Sequence, residues 1–227
     1  MKRKDGLTKA NGIGQILVTF IIYSFAQGLF MINAKKLKLV TIVYIFGLTI
    51  ALLSLTYGIY QRRLNQQNPW HFTSYNKSRL PKFTWKNWGY TVLGFLVICS
   101  LQVLAGFLIN GQATNQEIIV KQQQSLNPII NVMLVVIAPL FEEIIFRGIF
   151  FSWFFDKPST KSKFYLAVIV NGLIFGVMHE PKFDLFTVLY ALCGCVLAMV
   201  YLKTKDLTYS YMAHLGNNLA VYLISSL

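Results

Sequence analysis

The apolar patterning of this 227-residue chain restricts its fold more than any other feature. About seven stretches are long enough to cross a hydrocarbon core roughly 30 Å thick, which takes about 20 helical residues. They run over 12–32, 39–60, 88–110, 128–155, 164–179, 185–202 and 207–226. The first three contain no Asp, Glu, Lys, Arg or His. Lipid offers no partner to a backbone N–H or C=O, so segments of this kind must be helices or a closed barrel, and runs this long and this apolar are helices. The expected fold class is therefore all-α, a polytopic membrane helical bundle of about seven transmembrane helices around a buried polar cavity. It forms a single integral-membrane domain over 1–227. Only 13% of the chain is charged and 55% is hydrophobic, against about 25% charged in a soluble domain. This composition excludes a disordered chain and favours a membrane protein over a soluble globular domain.

The net charge of +13 comes from 21 Lys and Arg against 8 Asp and Glu. In a soluble protein such a balance points to nucleic acid; between apolar spans it points to basic loops on the cytoplasmic side. With the N-terminus inside, most of the basic residues fall on the inner segments, at 2–9, 62–86, 157–163 and 203–205. The outer segments hold Lys35, Lys36, Lys38, Lys121 and Lys182. The expected location is the cell membrane, multi-pass, with the N-terminus inside. Lys2, Arg3 and Lys4 precede the first apolar run, and Ser24 and Ala26 mimic a cleavage box. The run nevertheless continues through Gly28–Ile32, so it reads as an uncleaved anchor. In 61–87, Trp70, His71, Phe72, Tyr75, Trp85 and Trp88 alternate with basic residues. Between two spans this reads as an interfacial segment with aromatic anchors, not a single-strand nucleic-acid surface. Residues 111–126, rich in Gln and Asn, read as a solvated outer loop. The fifth and sixth spans are short, so the turn through Glu180, Pro181 and Asp184 is expected below the headgroups. Cys193 and Cys195 point to opposite sides of one helix, and no disulfide or redox role follows.

The chemistry lies in residues that a bilayer normally excludes. The fourth span reads Pro139-Leu140-Phe141-Glu142-Glu143-Ile144-Ile145-Phe146-Arg147-Gly148. Each ionised group at mid-membrane costs roughly 2.5–3.5 kcal/mol on insertion scales, so such groups face the bundle interior and serve function. Glu143 and Arg147 are i and i+4 with the acid first, the favourable order for an intrahelical pair. Glu142 lies about 100° away around the helix and stays free. In the fifth span Asn171, Phe175 and His179 share a face, and Gly172 and Gly176 form a GxxxG step for close helix contact. In the seventh, His214 and Asn218 share a face, while Asn217 is rotated toward a helix–helix contact. The topology sets His179 near the outer end of its helix and His214 about 12 Å from the inner end of its own. Glu142, His179, His214 and Asn218 nevertheless have the makings of one polar cavity.

Three chemistries suit such a set. Glu142 can activate water for attack on an amide carbonyl, with imidazole and amide donors receiving the oxyanion. Glu142, His179 and His214 can instead bind a divalent metal as in a hydrolytic zinc site, so the cofactor is either none or a metal such as zinc. Or the residues relay protons or ions in a transporter, although no inverted repeat or broken-helix sign accompanies them.

Glu142-Glu143-x-x-x-Arg147, Phe175-x-x-x-His179 and His214-x-x-x-Asn218, in that order on apolar helices, resemble the three motifs of the CPBP (Abi) intramembrane proteases. These are also called type II CAAX prenyl endopeptidases. The motif-bearing protease core is 128–226. The resemblance implies helices around a conical cavity that cuts peptide bonds near or within the membrane. It implies Glu142 as general base on water, assisted by His179, with His214 and Asn218 as the oxyanion hole. Glu143, Arg147 and Phe175 would support the site. The reading that follows is an intramembrane endopeptidase of the bacterial cytoplasmic membrane, acting on a membrane-associated peptide or protein. The rival is a non-enzymatic bacteriocin-immunity or scaffold protein of the same fold.

Overall fold

The computed structural model describes residues 2–32, 37–74, 84–125, 128–155 and 160–225. Tyr75 and the basic residues Lys35, Lys36, Lys77, Arg79, Lys82 and Lys157 lie outside them. Among the described residues there are helices and no strand: α1 (Lys2–Phe30), α2 (Leu39–Gln66), α3 (Trp85–Leu108), α4 (Thr114–Ser125), α5 (130–154), α6 (Lys161–His179), α7 (Leu185–Thr204) and α8 (Leu207–Ser225).

The helix starts follow side-chain chemistry. Thr84 accepts from the Asn87 N–H and Thr160 from the Lys163 N–H. Asp184 accepts from the N–H groups of Phe186 and Thr187 while Thr187 reaches back, a capping box that opens α7. Lys205 closes α7 in the left-handed conformation, at φ 63°. Large apolar side chains point outward along the spans, among them Ile21 and Phe25 of α1, Val43 and Tyr44 of α2, and Val103 and Phe107 of α3. In water such faces would drive aggregation; in a bilayer they are the lipid contact.

Five helices, at Lys9–Phe30, Leu39–Gln66, Trp85–Leu108, Lys161–His179 and Leu185–Thr204, are long and apolar enough to cross a membrane. The expected count of seven is not confirmed. Besides the short α4, two helices over the expected spans are not among these five, and both are polar: α5 carries Glu142, Glu143 and Arg147, and α8 carries Ser210, His214, Asn217 and Asn218. The other boundaries sit within a few residues of expectation, except that α1 begins at Lys2 and not near 12, and α2 runs on to Gln66. Its added turn is buried at Gln61, Arg63 and Leu64, where Arg63 donates to the Ser152 carbonyl (3.1 Å) and lies over the Trp153 ring.

Two sequence expectations fail here. Residues 114–125 are helical and not a solvated loop. The Thr114 N–H and hydroxyl donate to the Glu180 carboxylate at 2.5 and 2.8 Å, which ties the start of α4 to the end of α6. The aromatic residues 70 and 72 are not headgroup anchors either. Trp70 is 2% and Phe72 4% exposed, and they stack on each other, with Trp70 edge-on to Phe151 and Phe72 face to face with Tyr201. The Trp70 indole donates to the Phe155 carbonyl, and the Lys205 ammonium lies 4.7 Å from its ring centre. These rings fill a core between helix ends, a more complete burial of apolar area than an interface offers.

The GxxxG step of α6 does what its spacing predicts, with α7 as its partner. A methyl on Gly176 would lie 2.6 Å from the Thr187 carbonyl oxygen, and one on Gly172 would meet Cys195 and the Ala191 carbonyl. Gly176→Ala should lower stability in detergent by about 1–3 kcal/mol, because the obstacle is backbone and cannot yield by a rotamer change. Gly106→Ala, where the added methyl meets nothing within 4 Å, should not. Thermal unfolding of the two purified variants checks the contrast.

Candidate active site

The site begins with an irregular helix. Within α5, π-helical turns at Met133–Ile137 and Glu143–Ile149 flank the α-helical turn Ala138–Glu142. Pro139 sits at the start of that middle turn and brings no N–H to the ladder. Wider turns of this kind recur at functional sites because they re-aim side chains. Here they direct two consecutive carboxylates to different partners.

Glu143 and Arg147 are both fully buried and paired, with Oε1 3.2 Å from Nη1. The Arg147 Nη2 donates to the Gly194 carbonyl of α7 (3.2 Å), and its guanidinium lies over the Phe175 ring at 4.6 Å. The same Glu143 Oε1 is 3.0 Å from Nδ1 of His214. An ionised carboxylate can only accept, so Nδ1 of His214 carries a proton and Nε2 is turned the other way. Glu143 thus does more than neutralise Arg147; it orients His214.

Glu142 is the second carboxylate. Its Oε1 accepts from the Tyr23 hydroxyl at 2.7 Å, and the Gln27 amide donates to that hydroxyl in turn (3.1 Å). Its Oε2 lies 3.5 Å from Nε2 of His179 and 3.7 Å from Nε2 of His214. The Nδ1 of His179 donates to the Phe175 carbonyl (2.9 Å), so this ring too is held by its far nitrogen. His179 is sandwiched between Phe175 and Tyr190, with centroids 4.0 and 5.2 Å away. One carboxylate oxygen and two imidazole nitrogens therefore face one another across gaps at or beyond the limit of a direct hydrogen bond. Among the described residues no group of three His, Cys, Asp or Glu side chains is arranged to hold a metal ion, this trio included.

Glu142, His179 and His214 meet although the topology set the two histidines at different depths. Asn218 lines the same cavity as these three residues. Its amide donates to the Leu134 carbonyl (3.2 Å) and its oxygen accepts from Asn217 (3.3 Å). Asn217, read as a helix–helix partner, also lines the cavity. Asn171, on the face of Phe175 and His179, donates to the Phe146 carbonyl at 2.6 Å and ties α6 to α5. The three cysteines are free thiols.

Tyr23 and Gln27 were not singled out in the sequence. Their signal was present: two hydrogen-bonding side chains at i and i+4 in a span without charge. The first span, which reads as an anchor, delivers a hydrogen bond to Glu142. Glu180 is likewise more than a turn residue, since it is fully buried and holds α4.

The family model described as "Type II CAAX prenyl endopeptidase Rce1-like" matches residues 124–220, the stretch that supplies both carboxylates and both histidines. Residues 124–220 are therefore similar to that family. The chain is 28% identical over 141 residues to YdiL of Bacillus subtilis, a candidate membrane peptidase, covering 60% of this chain and 55% of YdiL. It is 26% identical over 218 residues to the membrane-embedded CAAX protease MroQ of Staphylococcus aureus, covering 89% of this chain and 85% of MroQ. The chain thus spans only about half the length of the first of these relatives. No solved structure matches it. The Rce1-like segment stops short of α1, so Tyr23 and Gln27 come from outside it.

The two adjacent acids of the Rce1-like segment should separate by stability. Glu143→Ala should lower unfolding free energy by about 3–5 kcal/mol, the usual loss when a buried pair is broken and one charge is stranded. Glu142→Gln, which keeps shape and hydrogen-bonding capacity, should cost less than about 1.5 kcal/mol. Detergent-resistance or thermal unfolding of both variants measures the difference.

Proposed function

We propose that this protein is a multi-pass membrane endopeptidase that hydrolyses a peptide bond of a membrane-associated peptide or protein by water activated at Glu142. The observation that carries the proposal is the convergence of the Glu142 Oε2 on two imidazole nitrogens, within 3.7 Å, in a cavity inside an apolar bundle. The Rce1-like segment and the two peptidase relatives support the same reaction class.

In this reading a water held between Glu142, His179 and His214 loses a proton to Glu142 as its oxygen attacks the amide carbon. His214, flanked by Glu143 on one nitrogen and Glu142 on the other, acts as imidazolium and donates from Nε2 to the developing oxyanion. The amide of Asn218, one helical turn on, is the second donor. The proton taken by Glu142 passes through His179 to the departing nitrogen. The C–N bond then breaks, leaving a carboxylic acid and an amine. Glu143 and Arg147 keep His214 in position, and Phe175 supports His179 and Arg147 from between them. Tyr23 is a positioning residue that fixes the Glu142 carboxylate through Oε1, so that Oε2 faces the reacting water. No step passes through a metal.

The location we propose is the bacterial cell membrane with the N-terminus on the cytoplasmic side, supported by the bias of Lys and Arg to the inner segments. The partner is a peptide or protein substrate within the bilayer.

Processing of membrane peptides by the purified protein in liposomes tests the reading. Glu142→Gln should abolish turnover, by about 10³-fold or more, while leaving insertion and folding intact. Tyr23→Phe should lower kcat by about tenfold with little change in KM, as loss of orientation and not of binding. Chelator should leave wild-type turnover unchanged. Normal turnover by Glu142→Gln would refute the proposal.

A further inference from the structure

The bundle holds a second cavity, of about 330 Å³, which shares no lining residue with the cavity of Glu142. Leu140 and Ile144 of α5 form one of its walls. They come from the turns that carry Glu142 and Glu143, so the two cavities stand on different sides of one helix. Tyr57 and Tyr60 of α2 and Tyr211 of α8 form the facing walls. Thr73 joins them, its N–H donating to the Lys205 carbonyl (2.8 Å) in the turn between α7 and α8.

The three tyrosines lend this space their rings, because each hydroxyl is engaged elsewhere. The Tyr60 hydroxyl is bonded to that of Tyr201 (2.9 Å), and the Tyr57 hydroxyl accepts from the Gln61 amide (2.9 Å). The Tyr211 hydroxyl donates to the Val136 carbonyl (3.3 Å). The rings of Tyr57 and Tyr60 are 6.0 Å apart and inclined at 65°, as two sides of a box are. Asp206 is the one charged residue in the lining, and it is only 5% exposed. Its Oδ1 accepts from the Thr208 N–H (2.9 Å), which caps α8. Its second oxygen accepts no hydrogen bond among the described residues, and no ion pair there involves Asp206. The two nearest lysines in the chain are turned to other rings. The Lys203 ammonium lies over Phe164 at 5.5 Å and that of Lys205 over Trp70 at 4.7 Å. Capping thus accounts for one carboxylate oxygen and leaves the charge unanswered.

From this lining we infer that the second cavity binds an organic ammonium group, with Asp206 as its counter-ion and Tyr57, Tyr60 and Tyr211 as an aromatic cage. A buried carboxylate without a counter-ion is costly, and a cation from outside the chain relieves that cost. The rings decide which cation. A metal ion such as Mg²⁺ or Ca²⁺ needs several oxygen ligands, and this lining is mostly ring and aliphatic carbon. An alkylammonium is weakly hydrated, is attracted to ring faces and carries apolar carbon for Leu140 and Ile144 to cover. Two sources supply that chemistry. One is the headgroup of an aminophospholipid, since the turn that holds Asp206 lies at an end of the bundle, where headgroups begin. The other is a soluble amine. The inference stands independently of the proteolytic reading.

The test compares wild type with Asp206→Asn, a change that removes the charge and keeps a residue equally good at an N-cap. In a neutral maltoside detergent, phosphatidylethanolamine and phosphatidylglycerol of the same chains are titrated in turn, and bound lipid is counted by native mass spectrometry. In a parallel arm without lipid, thermal unfolding is followed with choline chloride or sodium chloride at equal ionic strength. Asp206→Asn should weaken binding of phosphatidylethanolamine at least about tenfold and leave phosphatidylglycerol unchanged, or should abolish a saturable rise in Tm that choline gives the wild type. The first result assigns the site to a lipid headgroup and the second to a soluble amine. Tyr211→Leu should weaken the same ligand about fivefold, while Tyr211→Phe, which keeps the ring, should not. These two variants decide the matter should Asp206→Asn fail to fold. Wild type that binds neither ammonium ligand, or binding that survives Asp206→Asn or Tyr211→Leu undiminished, would overturn the inference.

Discussion

The buried ion pair between Glu143 and Arg147 is the interaction on which the rest of this structure depends. It lies wholly out of solvent, and each partner is used a second time. Arg147 reaches the Gly194 carbonyl and the Phe175 ring, joining α5 to α7 and α6; Glu143 reaches His214 and joins α5 to α8. A charge pair inside a bilayer would be a liability if it were only glue, since apolar residues could fill the space at less desolvation cost. Its value lies in the geometry it enforces. By occupying Arg147 and the Nδ1 of His214, Glu143 keeps the guanidinium from its neighbour Glu142 and turns the other imidazole nitrogen toward it.

Two backbone features make that arrangement reachable. The glycines of α6 let α7 approach until its backbone lies where a side chain would otherwise stand, which brings the Gly194 carbonyl and the ring of Phe175 within reach of Arg147. The π-helical turns of α5 change the pitch on either side of Glu142, so consecutive residues face different helices. Neither feature carries charge, yet without them the charged residues would meet different partners. The remaining ligand of Glu142, the Tyr23 hydroxyl, comes from α1, far away in the chain and outside the Rce1-like segment.

Much of this was legible in the sequence, for identifiable reasons. Helix positions followed from apolar run length, because lipid leaves the backbone no alternative to helix. The pairing of Glu143 with Arg147 followed from i, i+4 spacing, and the tight contact at Gly172 and Gly176 from theirs. What spacing does not carry is depth and partner. The polar faces of three helices put Glu142, His179 and His214 on one cavity, but the apolar runs set the two histidines at different depths, because tilt and helix packing fix the depth at which both meet Glu142. The roles of Tyr23 and Gln27 were hidden because polar groups without charge are common in spans. Trp70 and Phe72 looked interfacial because aromatic residues beside basic ones serve both anchors and cores, and only packing against Phe151 and Tyr201 separates the two. Residues 114–125 looked like a loop because their composition is polar, although the polar side chains serve a cavity and not bulk water.

The central claim is that the carboxylate at position 142 is the group that activates water, and chemical rescue tests it most directly. Glu142→Gly in liposomes, assayed on a membrane peptide that the wild type cuts, removes the carboxylate and leaves room for a small one. Processing is expected to fall to background, to return in proportion to added formate, and to stay absent with chloride at equal ionic strength. Processing by the Gly variant at the wild-type rate without formate would contradict the account.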